Sequence, residues 1–179
     1  MIASAAALLL ASLAGGTAAA ADGKLSFSPL ADARVKEAYP NTNYGSLPYL
    51  RVDGDRDPGV KSYLRFAVSG VSGPVKSAKL RLYAYTETLD GPAIYLTSNA
   101  WSEQSITWNN RPARIGTPSD NKVQIAIGTW VEYDVAPLVT GNGDVTFALV
   151  GDSTDGANFA SKEYTDPSKK PTLEVTYGF

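Results

Sequence analysis

The sequence contains no histidine and no cysteine. Without histidine there is no Ser-His dyad, and the commonest general base and the commonest metal ligand are both missing. Without cysteine there is no disulfide framework, no thiol nucleophile and no thiolate metal site. Stability must therefore come from a hydrophobic core, and a chain of 179 residues is long enough to form one within a single domain.

The chain also lacks an excess of positive charge. Its 16 Lys and Arg residues face 18 Asp and Glu residues, which gives a formal net charge of −2. Nucleic acids and anionic membranes are bound by proteins with a basic footprint. We therefore expect neither a nucleic-acid partner nor a membrane partner for the mature chain, although a local basic face is compatible with this balance.

No stretch of a dozen residues shows sustained helical periodicity. Short segments that alternate apolar and polar residues recur instead, about ten residues apart and separated by Gly, Pro, Asn and Asp, which predicts an all-β sandwich or barrel. The predicted strands cover residues 25–28, 31–36, 49–52, 63–68, 78–85, 94–96, 128–135, 145–150 and 172–177. Residues 137–140 are predicted to form a single helical turn.

The first 21 residues differ from the rest. Residues 2–21 carry no charge, Leu8–Leu10 form an apolar centre, and Ala19–Ala21 supplies the small residues of a cleavage site. This pattern predicts a secretory signal peptide over residues 1–21, with a membrane anchor as the alternative. Residues 22–179 would then form one secreted, extracellular domain.

Alternation assigns the basic residues of several strands to faces. Arg51 and Arg65 lie out of phase with the apolar residues of their strands, as do Arg34 and Lys36 with Ala33 and Val35. In the run 78–85, Leu80 and Leu82 are predicted to point inward. Lys79, Arg81 and Tyr83 are predicted to point outward. If these strands are neighbours, their Arg and Lys side chains form one basic stripe on one sheet.

Several motifs carry a family resemblance. They are Asn43-Tyr44-Gly45, Leu50-Arg51-Val52, Tyr63-Leu64-Arg65-Phe66, the segment Trp101-Ser-Glu-Gln-Ser-Ile-Thr-Trp-Asn-Asn-Arg-Pro112, Gly128-Thr-Trp-Val-Glu-Tyr-Asp-Val135 and Phe159-Ala-Ser-Lys-Glu163. Together they resemble the DNRLRE domain family, which overlaps carbohydrate-binding module family 96. Lys162 stands where that family's motif has Arg. The resemblance implies a jelly-roll-type β-sandwich of mostly antiparallel strands and non-catalytic binding of a polysaccharide, with acidic alginate as the ligand class.

The candidate carbohydrate-binding residues combine cations with tyrosines. Guanidinium groups pair bidentately with carboxylates, and tyrosine rings offer apolar platforms for pyranose faces. The alternative is a solubilising face with ion pairs to Asp32, Glu37 or Glu87. The candidates are Arg34, Lys36, Tyr39, Asn43, Tyr44, Arg51, Arg65, Arg81 and Lys162.

The tryptophans and the acidic loop each allow two interpretations. Trp101, Trp108 and Trp130 could anchor the core or stack on sugars. Asp53, Asp55 and Asp57 alternate as in a calcium loop, but Pro58 and Leu64 occupy the positions where an EF-hand needs Gly and Glu. A solvated turn is favoured, so we expect no metal and no cofactor, with calcium as the open alternative.

Three functions remain open. The favoured one is a secreted carbohydrate-binding module that acts beside secreted polysaccharide-degrading enzymes. The second is a structural or adhesive surface protein. The third is a small enzyme: a lyase using Tyr44, Asn43 and Arg51, or a hydrolase using two of Glu103, Asp134 and Glu163. No local pairing of these carboxylates supports the third, so no catalytic residue is predicted.

Overall fold

The computed structural model describes residues 22–54 and 58–179. Almost all regular structure in these residues is β-strand. Two single-turn 3-10 helices, Ala136–Leu138 and Pro167–Lys169, are the exceptions. The strands are β1 Gly23–Phe27, β2 Ala31–Lys36, β3 Tyr49–Val52, β4 Val60–Val68, β5 Val75–Tyr83, β6 Ala93–Thr97, β7 Arg114–Asn121, β8 Trp130–Asp134, β9 Gly143–Val150, β10 Ala157–Ala160 and β11 Thr172–Tyr177.

The strands form an antiparallel β-sandwich, which confirms the predicted fold class. One sheet has the order β1-β11-β5-β8 and the other the order β2-β4-β9-β6-β7. A two-stranded sheet of β3 and β10 lies between them, linked to β4 by the bridge Asp53–Val60 and to β5 by the bridge Ala84–Phe159. This small sheet brings residues from distant parts of the chain together at one side of the sandwich.

The main core lies between the two large sheets. Leu64 and Phe66 of β4 pack with Leu80 and Leu82 of β5, and all four side chains are fully buried. The Phe66 and Phe147 rings lie 6.0 Å apart. Burying one such side chain contributes about 1.5–3 kcal/mol, so this layer supplies the stability that disulfides cannot. The predicted inward phase of β4 and β5 is confirmed.

A second apolar cluster covers the outer face of the five-stranded sheet. Ala33, Val35, Tyr63, Ala148 and Val150 form its floor. Its roof is the segment of residues 99–113, which we call the outer cover. Within the cover, Ile106 is buried, and Trp101 and Trp108 pack against the floor while remaining half-buried. These two tryptophans anchor the cover and do not enter the main core. The third, Trp130, lies half-buried on β8.

This second cluster covers the apolar face of β2. Ala33 lies opposite Tyr63 and points toward the outer cover. Asp32 lies opposite Leu64 and Arg34 opposite Ser62, so the polar residues of β2 share the face that carries the main core. Arg34 and Lys36 thus lie on the face opposite Ala33 and Val35, as predicted, but the sheet carries apolar residues on both faces.

Amide side chains fasten the outer cover to the rest of the chain. The Asn43 side chain donates to the carbonyl oxygens of Glu103 and Ile106, both at 2.8 Å. Asn110 Oδ1 accepts from the Thr107 amide at 2.6 Å and closes a turn within the cover. A Cβ at Gly45 would lie 2.1 Å from the Glu103 carbonyl oxygen, so only glycine fits at this contact.

Two strands, β7 and β10, were not predicted. β7 contains Gly116 and Pro118 and is largely exposed, so it shows no alternation. No helix within the described residues is long and apolar enough to span a membrane. The signal peptide predicted at residues 1–21 and two of the calcium candidates, Asp55 and Asp57, lie outside the described residues.

Candidate functional site

The predicted cations do not form one stripe. Arg34 and Lys36 lie on β2 and Arg65 on the neighbouring β4, but the register places Arg65 opposite Ala31, on the other face of the sheet. Arg81 belongs to β5, in the four-stranded sheet. The single basic stripe is therefore wrong, because out-of-phase residues of adjacent strands share a face only when the register allows it.

Arg65 is committed to the outer cover. Its Nη1 donates to the carbonyl oxygens of Asn99 at 3.0 Å and Trp101 at 3.1 Å. The guanidinium also lies over the Trp101 ring at 5.5 Å. These contacts explain Arg65 as a structural link between β4 and the cover.

Arg81 is paired with carboxylates. Its guanidinium lies 3.1 Å from Glu132 and 3.3 Å from Glu174, on the two strands that flank β5. It also stacks on the Trp130 ring at 4.8 Å. Arg81 therefore forms cross-strand ion pairs, which was the predicted alternative to sugar binding. Its partners are Glu132 and Glu174, not Asp32, Glu37 or Glu87.

Lys162 belongs to a network of carboxylates. Oxygens of Asp32, Glu103 and Glu163 lie within 4.8 Å of one another, and the Lys162 ammonium is 3.1 Å from Glu103 and hydrogen-bonded to Glu163. Burial raises the pKa of the Asp32 carboxyl well above its ordinary value, although the Lys162 amide donates to it at 2.7 Å. The ammonium provides the counter-charge, so the network holds β2, the cover and the chain after β10 together.

Four of the remaining candidates, Arg34, Tyr44, Lys36 and Tyr39, do come together. The Arg34 guanidinium lies 4.2 Å from the centre of the Tyr49 ring and 5.2 Å from that of Tyr44, and its Nη2 donates to the Tyr49 hydroxyl at 3.3 Å. Lys36 Nζ lies 5.1 Å from the Tyr39 ring, which is 56 % exposed. The two cation–ring pairs are neighbours on one face of β2.

Three cations act on the Tyr49 phenol. The hydrogen bond from Arg34 and the Arg34 charge lower the pKa of Tyr49, and the charges of Lys36 and Arg51 lower it further. Tyr49 is 39 % exposed, whereas Arg34 is only 8 % exposed. A solvent-accessible ring thus sits at the centre of a positive field, and we call Arg34, Lys36 and Arg51 its cationic rim.

Two members of the rim have no acidic partner within residues 22–54 and 58–179. Arg51 pairs with the buried Asp53 at 2.6 Å. For Arg34 and Lys36, the contacts in these residues are tyrosine rings and the Tyr49 hydroxyl. In contrast to Arg81, these two cations pair with no carboxylate of the described residues.

An open groove of about 290 Å³ adjoins this rim. It is lined by Pro48, Tyr49, Tyr85, Asn158 and Tyr164, and we call it the Tyr49 groove. Asn158 lies directly opposite Arg51 across the β3–β10 pair, which places the rim at one end of the groove. The Asn158 Oδ1 is buried without a hydrogen-bond partner among the described residues, so the groove keeps one unsatisfied acceptor.

Aromatic side chains continue from the groove along the neighbouring sheet. Tyr85 meets Tyr164 at 4.9 Å and Tyr83 at 5.8 Å, and Tyr83 meets Trp130 at 5.6 Å, all as edge-to-face pairs. Burial raises the pKa of Tyr85, so its phenol stays protonated at neutral pH. The result is a row of half-buried aromatic rings that ends at the cationic rim.

Sequence reasoning missed the groove residues Tyr49, Tyr85, Asn158 and Tyr164. The outward phase of Tyr49 and Tyr85 in alternating runs was an available signal. Their meeting depends on the long-range pairing of β3 with β10 and on the bridge from β10 to β5, which no local pattern encodes.

An antiparallel β-sandwich with an open aromatic groove and a cationic rim has the form of a sugar-binding module. The sequence profile of carbohydrate-binding module family 96 matches residues 23–177. The chain therefore belongs to carbohydrate-binding module family 96, and the resemblance seen in its motifs is confirmed. No curated protein matches the chain.

Proposed function

We propose that the Tyr49 groove and its cationic rim bind an acidic polysaccharide, such as alginate or another polymer of hexuronic acids, without catalysis. The observation that carries the proposal is the pair of cations, Arg34 and Lys36, that lack a carboxylate partner in the described residues beside an open aromatic groove. A carboxylated sugar in the groove would supply the missing counter-charge.

The cationic rim contains two cations that a ligand can reach and one guanidinium group that is held in place. Lys36 is half-buried and the Arg51 side chain is 43 % exposed, so both can reach a carboxylate. Arg34 is stacked between two tyrosine rings, which fixes its guanidinium and the Tyr49 ring before any ligand arrives. A pre-organised group loses little conformational entropy on binding, so Arg34 supports recognition mainly by position and charge.

The groove supplies the contacts that a sugar ring needs. Tyr49, Tyr85 and Tyr164 offer apolar ring surface for the C–H groups of a pyranose. After a side-chain rotation, the Asn158 Oδ1 could accept from a sugar hydroxyl. Aromatic surface gives affinity for sugars in general, whereas the rim favours carboxylated ones.

Affinity by this mechanism requires several contacts. An exposed ion pair contributes about 0.2–1 kcal/mol, so one uronate gives weak binding. A polymer that places successive uronates along the rim and aromatic row gains by avidity. Because salt screens exposed charges over about 8 Å at physiological ionic strength, retention should weaken as salt rises.

The test is affinity electrophoresis with alginate, pectate, xylan and hydroxyethyl cellulose in parallel gels, each at low and high sodium chloride. We expect retardation by alginate or pectate that salt weakens, and little retardation by the neutral polymers. Salt-independent retardation by a neutral polymer would mean that aromatic stacking binds the polymer and that the cationic rim has no part in binding. Retardation by none of them would favour the structural or adhesive function.

The cellular setting is part of the same proposal. Residues 1–21 would direct export and be removed, so the mature protein would act outside the cell beside enzymes that degrade the polymer. Intact-mass analysis of protein from the culture medium should show a chain that begins at Asp22. A secreted chain that still begins at Met1 would contradict the signal-peptide assignment.

A further inference from the structure

A second basic groove of about 240 Å³ opens on the outer face of the five-stranded sheet. Tyr63 and Val150 line it from the sheet, and Arg111, Pro112 and Arg114 line it from the end of the outer cover and the start of β7. We call it the Arg111 groove. Its described lining contains no carboxylate, so it differs in charge from the Asp32 network at the other end of the cover.

Both arginines of this groove are oriented by aromatic rings. The Arg111 guanidinium lies 3.7 Å from the centre of the Trp108 ring, and its Nη1 donates to the Trp108 carbonyl oxygen. The Arg114 guanidinium lies 4.9 Å from the centre of the Tyr95 ring. Within the two described ranges, neither arginine forms an ion pair with a carboxylate. Lys61 Nζ lies 5.0 Å from the centre of the Trp108 ring in the same region.

The rest of the groove is apolar or already hydrogen-bonded. The buried Tyr63 hydroxyl donates to the Pro112 carbonyl oxygen at 3.2 Å. Pro112 and Val150 present carbon atoms. Since cations lie close to the Trp108 ring, recognition here would depend on charge more than on stacking. Two planar guanidinium forks beside a small apolar floor suit a carboxylate carried on a sugar ring.

We propose that the Arg111 groove is a second binding site for a hexuronate unit, separate from the Tyr49 groove. The choice of ligand class rests on the proposed function. The separation rests on register: Arg34 lies opposite Ser62, whereas Val35 lies opposite Lys61. Successive residues of a strand point to opposite faces, so the two sites lie on opposite faces of the β2–β4 pair. The module is then bivalent and can hold two segments of acidic polymer.

The test is an NMR titration of the ¹⁵N-labelled protein with trigalacturonate. This ligand is so short that each groove must bind it without the avidity that a polymer would add. We expect two groups of shifting signals, one near Tyr49 and Asn158 and one that includes the Trp108 indole and residues near Arg114. The double variant Arg111→Gln, Arg114→Gln should lose only the second group. The variant Lys36→Gln, Tyr49→Ala should lose only the first.

Controls separate the possible failures. The charge-retaining variant Arg111→Lys, Arg114→Lys keeps the positive charge but loses the planar forks, and it should show the second group of shifts only weakly. If the second group is absent while the first is present, the Arg111 groove is not a sugar site and the proposed function survives. If sodium sulfate at equal ionic strength produces the same second group, the groove takes any oxyanion and the proposal is wrong. If only the second group appears, the proposed function fails and this inference stands.

Discussion

Two arginines of this protein rest on aromatic rings in nearly the same way. Arg34 lies 4.2 Å from the centre of the Tyr49 ring, and Arg81 lies 4.8 Å from that of Trp130. Each belongs to an alternating strand, and each was predicted from the sequence to lie on a basic sugar-binding face. Geometry at the ring therefore does not distinguish them.

Their carboxylate neighbours do distinguish them. Arg81 has Glu132 at 3.1 Å and Glu174 at 3.3 Å. A hydrogen bond from Lys24, together with the charges of Lys24 and Arg81, lowers the pKa of Glu174, which shows that this carboxylate is committed to its cations. Arg34 has no such neighbour in the described residues. The comparison teaches that pairing, more than outward phase, marks the cations available to a ligand.

The largest expected effect is on binding. The double variant Lys36→Gln, Tyr49→Ala removes a cation that pairs with no described carboxylate and the central ring of the groove. Because both contacts to the polymer are lost, we expect affinity for pectate to fall roughly tenfold or more, which corresponds to about 1.4 kcal/mol. The matched control Arg81→Gln should change affinity less than twofold. Isothermal titration calorimetry gives both numbers, and thermal melting checks folding. Equal losses in both variants would contradict the distinction between the cationic rim, which has unpaired members, and the paired Arg81.

A smaller effect should follow from unpairing Arg81. In the double variant Glu132→Gln, Glu174→Gln, Arg81 would lie over Trp130 without a carboxylate, as Arg34 lies over Tyr49. We expect affinity for pectate to rise at least about two- to fivefold, because each freed exposed cation adds about 0.2–1 kcal/mol and the variant frees Lys24 and Lys79 along with Arg81. The control Asp22→Asn removes a carboxylate that pairs with Lys76, at the opposite end of β5 from Tyr83. An unchanged affinity in the glutamate variant would show that unpaired charge alone does not create a site.

The smallest effect is a shift in the titration of one phenol. The Arg34 hydrogen bond and the rim charges lower the pKa of Tyr49, so its phenolate should form at lower pH than the phenolate of free tyrosine. Lys36→Gln removes one of these charges and should move the titration back to higher pH. Ring ¹³C chemical shifts of Tyr49 against pH report this directly. A titration that does not respond to Lys36→Gln would mean that Lys36 does not act on the groove.

The fold was largely predictable because most strands bury one face. The bounds of β2, β3 and β11 coincide with predicted strands, β9 begins two residues before one, and the predicted helical turn at 137–140 overlaps Ala136–Leu138. The alternation of β2 separated Arg34 and Lys36 from Ala33 and Val35 correctly, but it could not show that its small apolar residues meet the outer cover instead of the main core. β7 was missed because its exposed sequence, with Gly116 and Pro118, carries no alternating pattern.

The candidate site was predictable only in part. Four of the predicted candidates, Arg34, Lys36, Tyr39 and Tyr44, come together because they lie close in sequence on β2 and in the turn after it. Their role in binding stays a prediction. Arg51 joins them because Tyr49, two residues earlier on β3, contacts Arg34. Asn43 and Arg65 had the right chemistry for a ligand, yet both hold the outer cover through backbone carbonyl groups that no sequence motif reveals.

The most direct test of the central claim is lysine footprinting by mass spectrometry. Lys36 belongs to the cationic rim, whereas Lys79 is paired with Glu132 at 3.1 Å on the four-stranded sheet. We predict that saturating pectate slows the acetylation of Lys36 while that of Lys79 is unchanged, and that xylan protects neither lysine. Acetylation of Lys36 at the same rate with and without bound pectate would contradict the assignment of the Tyr49 groove and its rim as the binding site.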